Sequence, residues 1–282
     1  MVLSPDGRLK TMRLSVLLTM LVATTLPAQQ VPNTTPDAPV QTGVPVDAPL
    51  NPKLPTLFLV GDSTARNKTD LGWGDHLAPL FDTAKINIAN RAVAGRSSRT
   101  YINEGRWTAV MAEMKAGDFV LIQMGHNDGG DLGGAKPRGT LKGVGEESQD
   151  VLQTTGPLSG QVETVHTYGW YLRKYIAETR AKHATPILLT VTVRNIWKDG
   201  RIERDMGFRE FEYQVGAAEH VPVVDMASVA ADRWEAMGAE KTAAYFPIDH
   251  THTSAAGADL NAHSVVSALR GAGSPLVSYL KK

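Results

Sequence analysis

A chain of 282 residues, with 42% apolar and 21% charged side chains, is long enough to bury a substantial core and short for two ordinary domains. Its 29 basic and 29 acidic side chains cancel, and no basic block or acidic tail stands out, which argues against nucleic acid or another polyelectrolyte as a partner. Cysteine is absent, which excludes disulfides, thiolate metal ligands and a thiol nucleophile.

The chain opens like a leader. Arg8, Lys10 and Arg13 precede the apolar run LSVLLTMLVATTL, and PAQQ follows it. A positive start, a short apolar stretch and a small residue at Ala28 predict a secretory signal over residues 1–28. The apolar run falls short of the roughly 20 residues that a membrane span needs. The expectation is therefore a secreted or periplasmic protein with no membrane attachment after cleavage. Residues 29–55 are rich in proline and poor in large apolar side chains, which predicts an extended linker. The folded domain is expected over residues 56–282.

From Thr56 onward a regular alternation begins. Short apolar, β-rich runs occupy Thr56–Val60, 85–89, 119–124, 187–193 and 221–224. Helical patterns fill 74–81, 104–115, 162–183 and 205–219, and a last one runs from Thr253 to Leu269. Strands buried on both faces and alternating with helices predict an α/β fold, a three-layer α/β/α sandwich around a mostly five-stranded parallel sheet. Active sites in such sheets gather at the carboxyl ends of the strands. Residues 129–160 break the rhythm, glycine-rich and without periodicity, and are expected to form a loop facing the substrate. The spacing of Tyr168, Tyr171 and Tyr175 is helical and places them against the core.

Polar clusters follow the strand ends. GDST, residues 61–64, puts Asp62 and Ser63 just past the first strand, where either can also cap the next segment. The G-x-S-x-G elbow of α/β-hydrolases is not there. In NRAVAGRSSRTY, Gly95 either lets the backbone approach a ligand closely or simply turns the chain. QMGHNDGG offers the His126 imidazole and the Asn127 amide, or alternatively an Asx turn. DHTHTSAAGA carries Asp249, His250 and His252, and an aspartate three residues before a histidine can hydrogen-bond to it across a tight turn. Thr253 or Ser254 then caps the following helix. The same three side chains leave a metal-dependent hydrolase open as a different reading.

Taken in order, GDS, Gly95, GHND and D-x-x-H resemble the four blocks of the SGNH (GDSL-like) hydrolases, and the resemblance runs over residues 56–269. VGDSTA, GWGD, AGRSSRTY, GHND, VHTYGWYLRKYI and DHTHTSAAGA are similar to the rhamnogalacturonan acetylesterase branch of that family. The resemblance implies a metal-independent, cofactor-free serine esterase acting on acetylated polysaccharide. It assigns Ser63 as nucleophile, His252 as base and Asp249 as its orienting partner. It also assigns the N–H groups of Ser63 and Gly95 and the Asn127 amide to an oxyanion hole. Trp73, which could stack on a sugar ring or equally pack in the core, joins Asp62, Arg96, His126, Arg194 and His250 as a candidate for substrate contact. Arg96, Arg99, Arg194 and the lysines of the long loop are candidates for pairing with galacturonate carboxylates, with solvated surface charge the commoner role for most such cations. A broad carboxylesterase or lysophospholipase of the same fold is the alternative within the class, although the long loop offers no apolar lid. A glycan-binding protein without catalysis is a further alternative, against which the Ser–Asp–His set argues.

Overall fold

The computed structural model describes residues 49–68 and 70–282. The expected leader lies outside these residues, as does all but the end of the proline-rich stretch. That end is tied down: Asn51 and Asn87 exchange two hydrogen bonds of 2.9 Å, covering the outer edge of the sheet.

The central sheet has five parallel strands in the order β2-β1-β3-β6-β9. These are β1 (Thr56–Val60), β2 (Asn87–Asn90), β3 (Phe119–Ile122), β6 (Thr185–Leu189) and β9 (Val223–Val224). Two antiparallel pairs stand apart from it, β4 (Ser148–Leu152) with β5 (Val162–His166) and β7 (Trp197–Lys198) with β8 (Arg201–Ile202). The helices are α1 (Ser98–Asn103), α2 (Arg106–Glu113), α3 (Tyr168–Ala181), α4 (Arg209–Ala218), α5 (Met226–Met237), α6 (Ala239–Ala243) and α7 (Ala255–Gly271).

The layers follow from the two-residue period of a strand. In β1, Leu57 and Leu59 point into one core with Trp234 of α5 and Val265 of α7. Phe58 and Val60 point into the other, with Tyr101, Trp107, Tyr168 and Tyr175 of α1 to α3. A strand apolar on both faces is stable only between two such layers, so the sequence TLFLV puts β1 near the middle of the sheet. The tyrosine stripe of α3 is buried as expected.

Several boundaries differ from the sequence pattern. The apolar run 187–193 stops pairing at Leu189, because its neighbour β9 ends at Val224 and offers no further ladder. Residues 162–166, expected to begin a helix, instead form β5, which pairs with Ser148–Leu152 in the register Ser148↔His166. VETVH alternates with a period of two, and Thr167 then caps α3 by accepting the Trp170 amide at 3.1 Å. Residues 74–81 form two short 3₁₀ turns rather than one helix. The helices α1, α5 and α6 lie outside the helical patterns of the sequence. Among the described residues no helix is long and apolar enough to cross a membrane.

Candidate active site

All five sheet strands point the same way, so the turns after β1, β2, β3 and β6 meet along one edge. After β1 the chain turns at once, with the Ala65 and Arg66 amides donating to the Asp62 carbonyl at 3.2 and 3.1 Å. This leaves Ser63 at the edge with 6% of its surface exposed. Asp62 is wholly buried, and its Oδ1 accepts the Thr64 amide at 2.8 Å and the Thr64 hydroxyl at 2.9 Å. Its Oδ2 lies 3.4 Å from His126 Nδ1, an ion-pair separation rather than a well-formed hydrogen bond. Burial pushes the Asp62 carboxyl up, but the nearby charge of His126, with the Thr64 donors, outweighs it and holds it below the usual carboxylate range. His126 Nε2 in turn sits 2.9 Å from the Thr192 carbonyl, which only accepts, so this nitrogen carries a proton.

The C-terminal cluster reaches the same edge. Asp249 Oδ1 accepts the amides of Thr251 at 2.7 Å and His252 at 2.8 Å, closing a turn that brings the two side chains together. Asp249 Oδ2 lies 2.8 Å from His252 Nδ1, and His252 Nε2 lies 2.8 Å from Ser63 Oγ. A carboxylate only accepts, so Nδ1 holds the proton and Nε2 turns its lone pair to the serine hydroxyl. Burial pushes the Asp249 carboxyl up, and the hydrogen bonds from His252 and Thr251 more than reverse this, leaving it below its ordinary value. Ser254 anchors the turn to α7 by accepting the Gly257 amide at 3.3 Å. The arrangement can do what a serine hydroxyl next to a base with a fixed tautomer does, which is to attack an acyl carbon.

The donors expected to face the attacked carbonyl lie on the neighbouring turns. Gly95 has φ +77°, in the left-handed region that a side chain disfavours. Asn127 Nδ2 donates one hydrogen to the Arg96 carbonyl at 2.9 Å, and the amide has a second N–H to offer. Below them Asp128 is buried and accepts the Ser98 amide at 3.1 and 3.2 Å as well as the Ser98 hydroxyl. Burial, against these bonds, raises its carboxyl to about 7. The turns after β2 and β3 are thus stapled to each other.

The remaining candidates divide. Arg194 is buried at the edge and reaches the His126 carbonyl at 3.4 Å. Burial lowers its guanidinium below its usual value, against the attraction of Asp62 and Asp249. His250 is half-buried, its imidazole lowered by burial and then by the Arg194 charge, and its carbonyl accepts the Asn195 amide at 2.7 Å. Arg96 turns its side chain to Glu104 at 2.8 Å and the Ala94 carbonyl at 2.9 Å.

Trp73 is corrected to the core. It is 1% exposed, and its indole donates to Gln123 Oε1 at 2.9 Å, because residues 73–76 fold as a tight turn packed against α7. Arg99 is likewise buried, donating to the Leu132 carbonyl at 3.1 Å, and it anchors the long loop rather than facing a ligand. Asp249, His250 and His252 do not converge on a metal position. His252 engages both ring nitrogens with Asp249 and Ser63, and no group of three His, Asp or Glu side chains among the described residues is placed to hold an ion. Two residues escaped the sequence reading. Gln123 bridges Trp73 to the Thr190 carbonyl and is signalled only as a polar residue ending an apolar strand. Arg138 stands over Gly95, and nothing in the loop sequence marks it.

Comparison with known proteins adds to this geometry. Residues 59–260 match the model of the GDSL-like Lipase/Acylhydrolase family. The chain is 33% identical over 231 residues to the rhamnogalacturonan acetylesterase of Emericella nidulans, covering 80% of this chain and 89% of that relative. It is 30% identical over 245 residues to the rhamnogalacturonan acetylesterase RhgT of Bacillus subtilis, covering 79% and 93% respectively. Among solved structures it resembles in fold the crystal structure of the Bacillus subtilis YxiM protein, with a TM-score of 0.61 at 23% identity; the match covers 78% of this chain and 57% of that one. The turns after β1 and β3 and most of the sheet lie inside the matched region, and the chain belongs to the GDSL-like lipase/acylhydrolase (SGNH hydrolase) family.

Proposed function

We propose that this protein is a serine esterase that removes O-acetyl groups from a plant cell-wall polysaccharide, rhamnogalacturonan or a related pectin. The observation that carries this reading is the unbroken line from Asp249 through His252 to Ser63, 2.8 Å at each step. The names of the relatives support the choice of substrate.

In the proposed cycle Ser63 Oγ attacks the acetyl carbonyl while His252 Nε2 takes the hydroxyl proton. Asp249 stabilises the imidazolium and keeps its ring in register. The oxyanion that forms is met by the N–H groups of Ser63 and Gly95 and by the second N–H of Asn127. His252 then returns the proton to the departing sugar oxygen. Water repeats the sequence on the acetyl-serine and releases acetate. Every proton in this cycle moves through His252, so no metal or cofactor is required. A polymer substrate lies outside the cell, which agrees with the leader expected at residues 1–28.

The test is acetate release from acetylated rhamnogalacturonan, homogalacturonan and xylan and from an aryl acetate, together with a lysophospholipid. The highest kcat/KM is expected on acetylated rhamnogalacturonan. Ser63→Ala should lose on the order of 10⁴–10⁶ in turnover. Substantial residual activity in that variant would remove the serine mechanism, and a preference for the lysophospholipid would replace the carbohydrate reading.

A further inference from the structure

The end of β3 is held by side chains that the proposed cycle does not use. The strand pairs as far as Ile122, and the Gln123 amide still reaches the Val60 carbonyl at 2.9 Å. Met124 follows, wholly buried and beyond the last paired residues of β3 and β6. A carbonyl buried there needs a donor from outside the sheet. Tyr168 supplies one: its hydroxyl, also buried, lies 2.7 Å from the Met124 carbonyl. The next residues are Gly125, His126 and Asn127, so this bond fixes the chain just before the proposed oxyanion donor. Gly125 has φ +141°, and a side-chain carbon on it would come within 2.7 Å of Val191 and 3.3 Å of Phe208. Phe208 packs edge-on against the Tyr168 ring, with 5.0 Å between centroids. The turn is thus pressed against the entry to α4.

Glu212 stands in the first turn of α4 and is 1% exposed. Its Oε1 lies 3.0 Å from the same Tyr168 oxygen. A phenol has one hydrogen, and the Met124 carbonyl, which can only accept, stands closer to it. With the phenol hydrogen directed to Met124, the contact with Glu212 takes its hydrogen from the carboxyl. Glu212 Oε2 has no hydrogen-bond partner among the described residues. An ionised carboxylate so placed leaves its charge unanswered away from water, whereas a neutral acid does not. Burial accordingly pushes this carboxyl well above its usual range, against the hydrogen bonding of Tyr168, and the charges of Asp205 and Asp225 push it the same way.

We infer that Glu212 and Tyr168 are a positioning pair for the proposed oxyanion hole: Glu212, as an un-ionised acid, donates to Tyr168, which donates to the Met124 carbonyl and so sets the turn that carries Asn127. The inference rests on the esterase reading above, in which Asn127 faces the oxyanion, and adds two residues that act through that turn.

It is tested by steady-state hydrolysis of 4-nitrophenyl acetate, with the fold of each variant checked by circular dichroism. Tyr168→Phe should lower kcat by about tenfold or more with little change in KM, since a misplacement of about 1 Å that starts away from the chemistry can cost about 10²-fold. Combined with Asn127→Ala it should lose no more than Asn127→Ala does alone, because it acts through that side chain. Glu212→Leu should fall as Tyr168→Phe does, and Glu212→Gln, which keeps a hydrogen for the phenol, should recover most of that loss. An infrared difference spectrum of the native protein against Glu212→Gln at neutral pH should carry the carbonyl band of an un-ionised carboxyl. That measurement needs only the near-isosteric variant, so it decides the proton even where the other variants do not fold.

A carboxylate band in its place overturns the pair. So do losses that add fully in the double variant, or a Glu212→Gln protein as impaired as Glu212→Leu. If Asn127→Ala lowers kcat and Tyr168→Phe does not, the pair falls and the oxyanion reading stands. If Asn127→Ala itself leaves kcat unchanged, that reading falls and takes the pair with it.

Discussion

Ser63 is an ordinary alcohol whose reactivity depends on what faces it. His252 and His250 are separated by one residue, yet only His252 has one ring nitrogen on a carboxylate and the other on the serine. His252→Ala should therefore cost on the order of 10⁴ or more in kcat, as loss of a base that acts as a unit with its serine does. His250→Ala should cost far less, and steady-state kinetics showing the reverse order would make His250 the base. Asn127→Ala removes one proposed oxyanion donor and should lower kcat by about 10²–10³ with little change in KM; a pure KM effect would move Asn127 from the oxyanion to the substrate. The spacing of Asp249 and His252 was legible in the sequence because their bond is local, made within one turn. Trp73 was not legible, because an indole beside an active-site segment reads alike whether it faces a sugar or Gln123, and only packing decides.

At the scale of elements, the link between the base and the rigid frame is the cap of α7. Ser254→Ala removes the acceptor for the Gly257 amide and should cost about 1 kcal/mol. For a domain of this size that lowers Tm by about 2–4 °C, measurable by calorimetry. Turnover should fall further than the stability loss alone explains, since His252 lies two residues before the cap; a drop in Tm with unchanged kcat would separate the cap from the catalytic turn. The strands β1, β3 and β6 were readable because they are short, mostly apolar runs buried on both faces. The pair β4 and β5 was not, for it stands outside the main sheet, and its pairing joins residues that flank a glycine-rich loop. What made 162–166 look helical was its continuity with α3; what makes it a strand is a partner that a local pattern does not reveal.

For the molecule as a whole, the two central turns are held together by one buried carboxyl. Asp128 has its proton affinity raised by burial to about 7, well above its value of about 3.9 in an unfolded chain. A carboxyl raised in this way favours the folded state fully below about pH 4, and the benefit is lost as pH rises through about 7. Asp128→Asn keeps an acceptor for Ser98 and removes the titration. Urea denaturation at about pH 4.5, 6 and 7.5 should show the native protein losing stability relative to this variant as pH rises. A constant difference across that range would show that the carboxyl does not titrate there.

The bond between Ser63 and His252 joins positions 189 residues apart. During synthesis the hydroxyl is made early and its base comes near the end, so a growing chain carries an inert serine until the segment before α7 has been translated and has closed back on β1. No N-terminal fragment that stops short of that segment can cleave an ester by this route. Loop closure over such a distance is also the slow kind of folding event. Under the proposed function, acetate release would thus double as a report that the segment before α7 has closed back on β1.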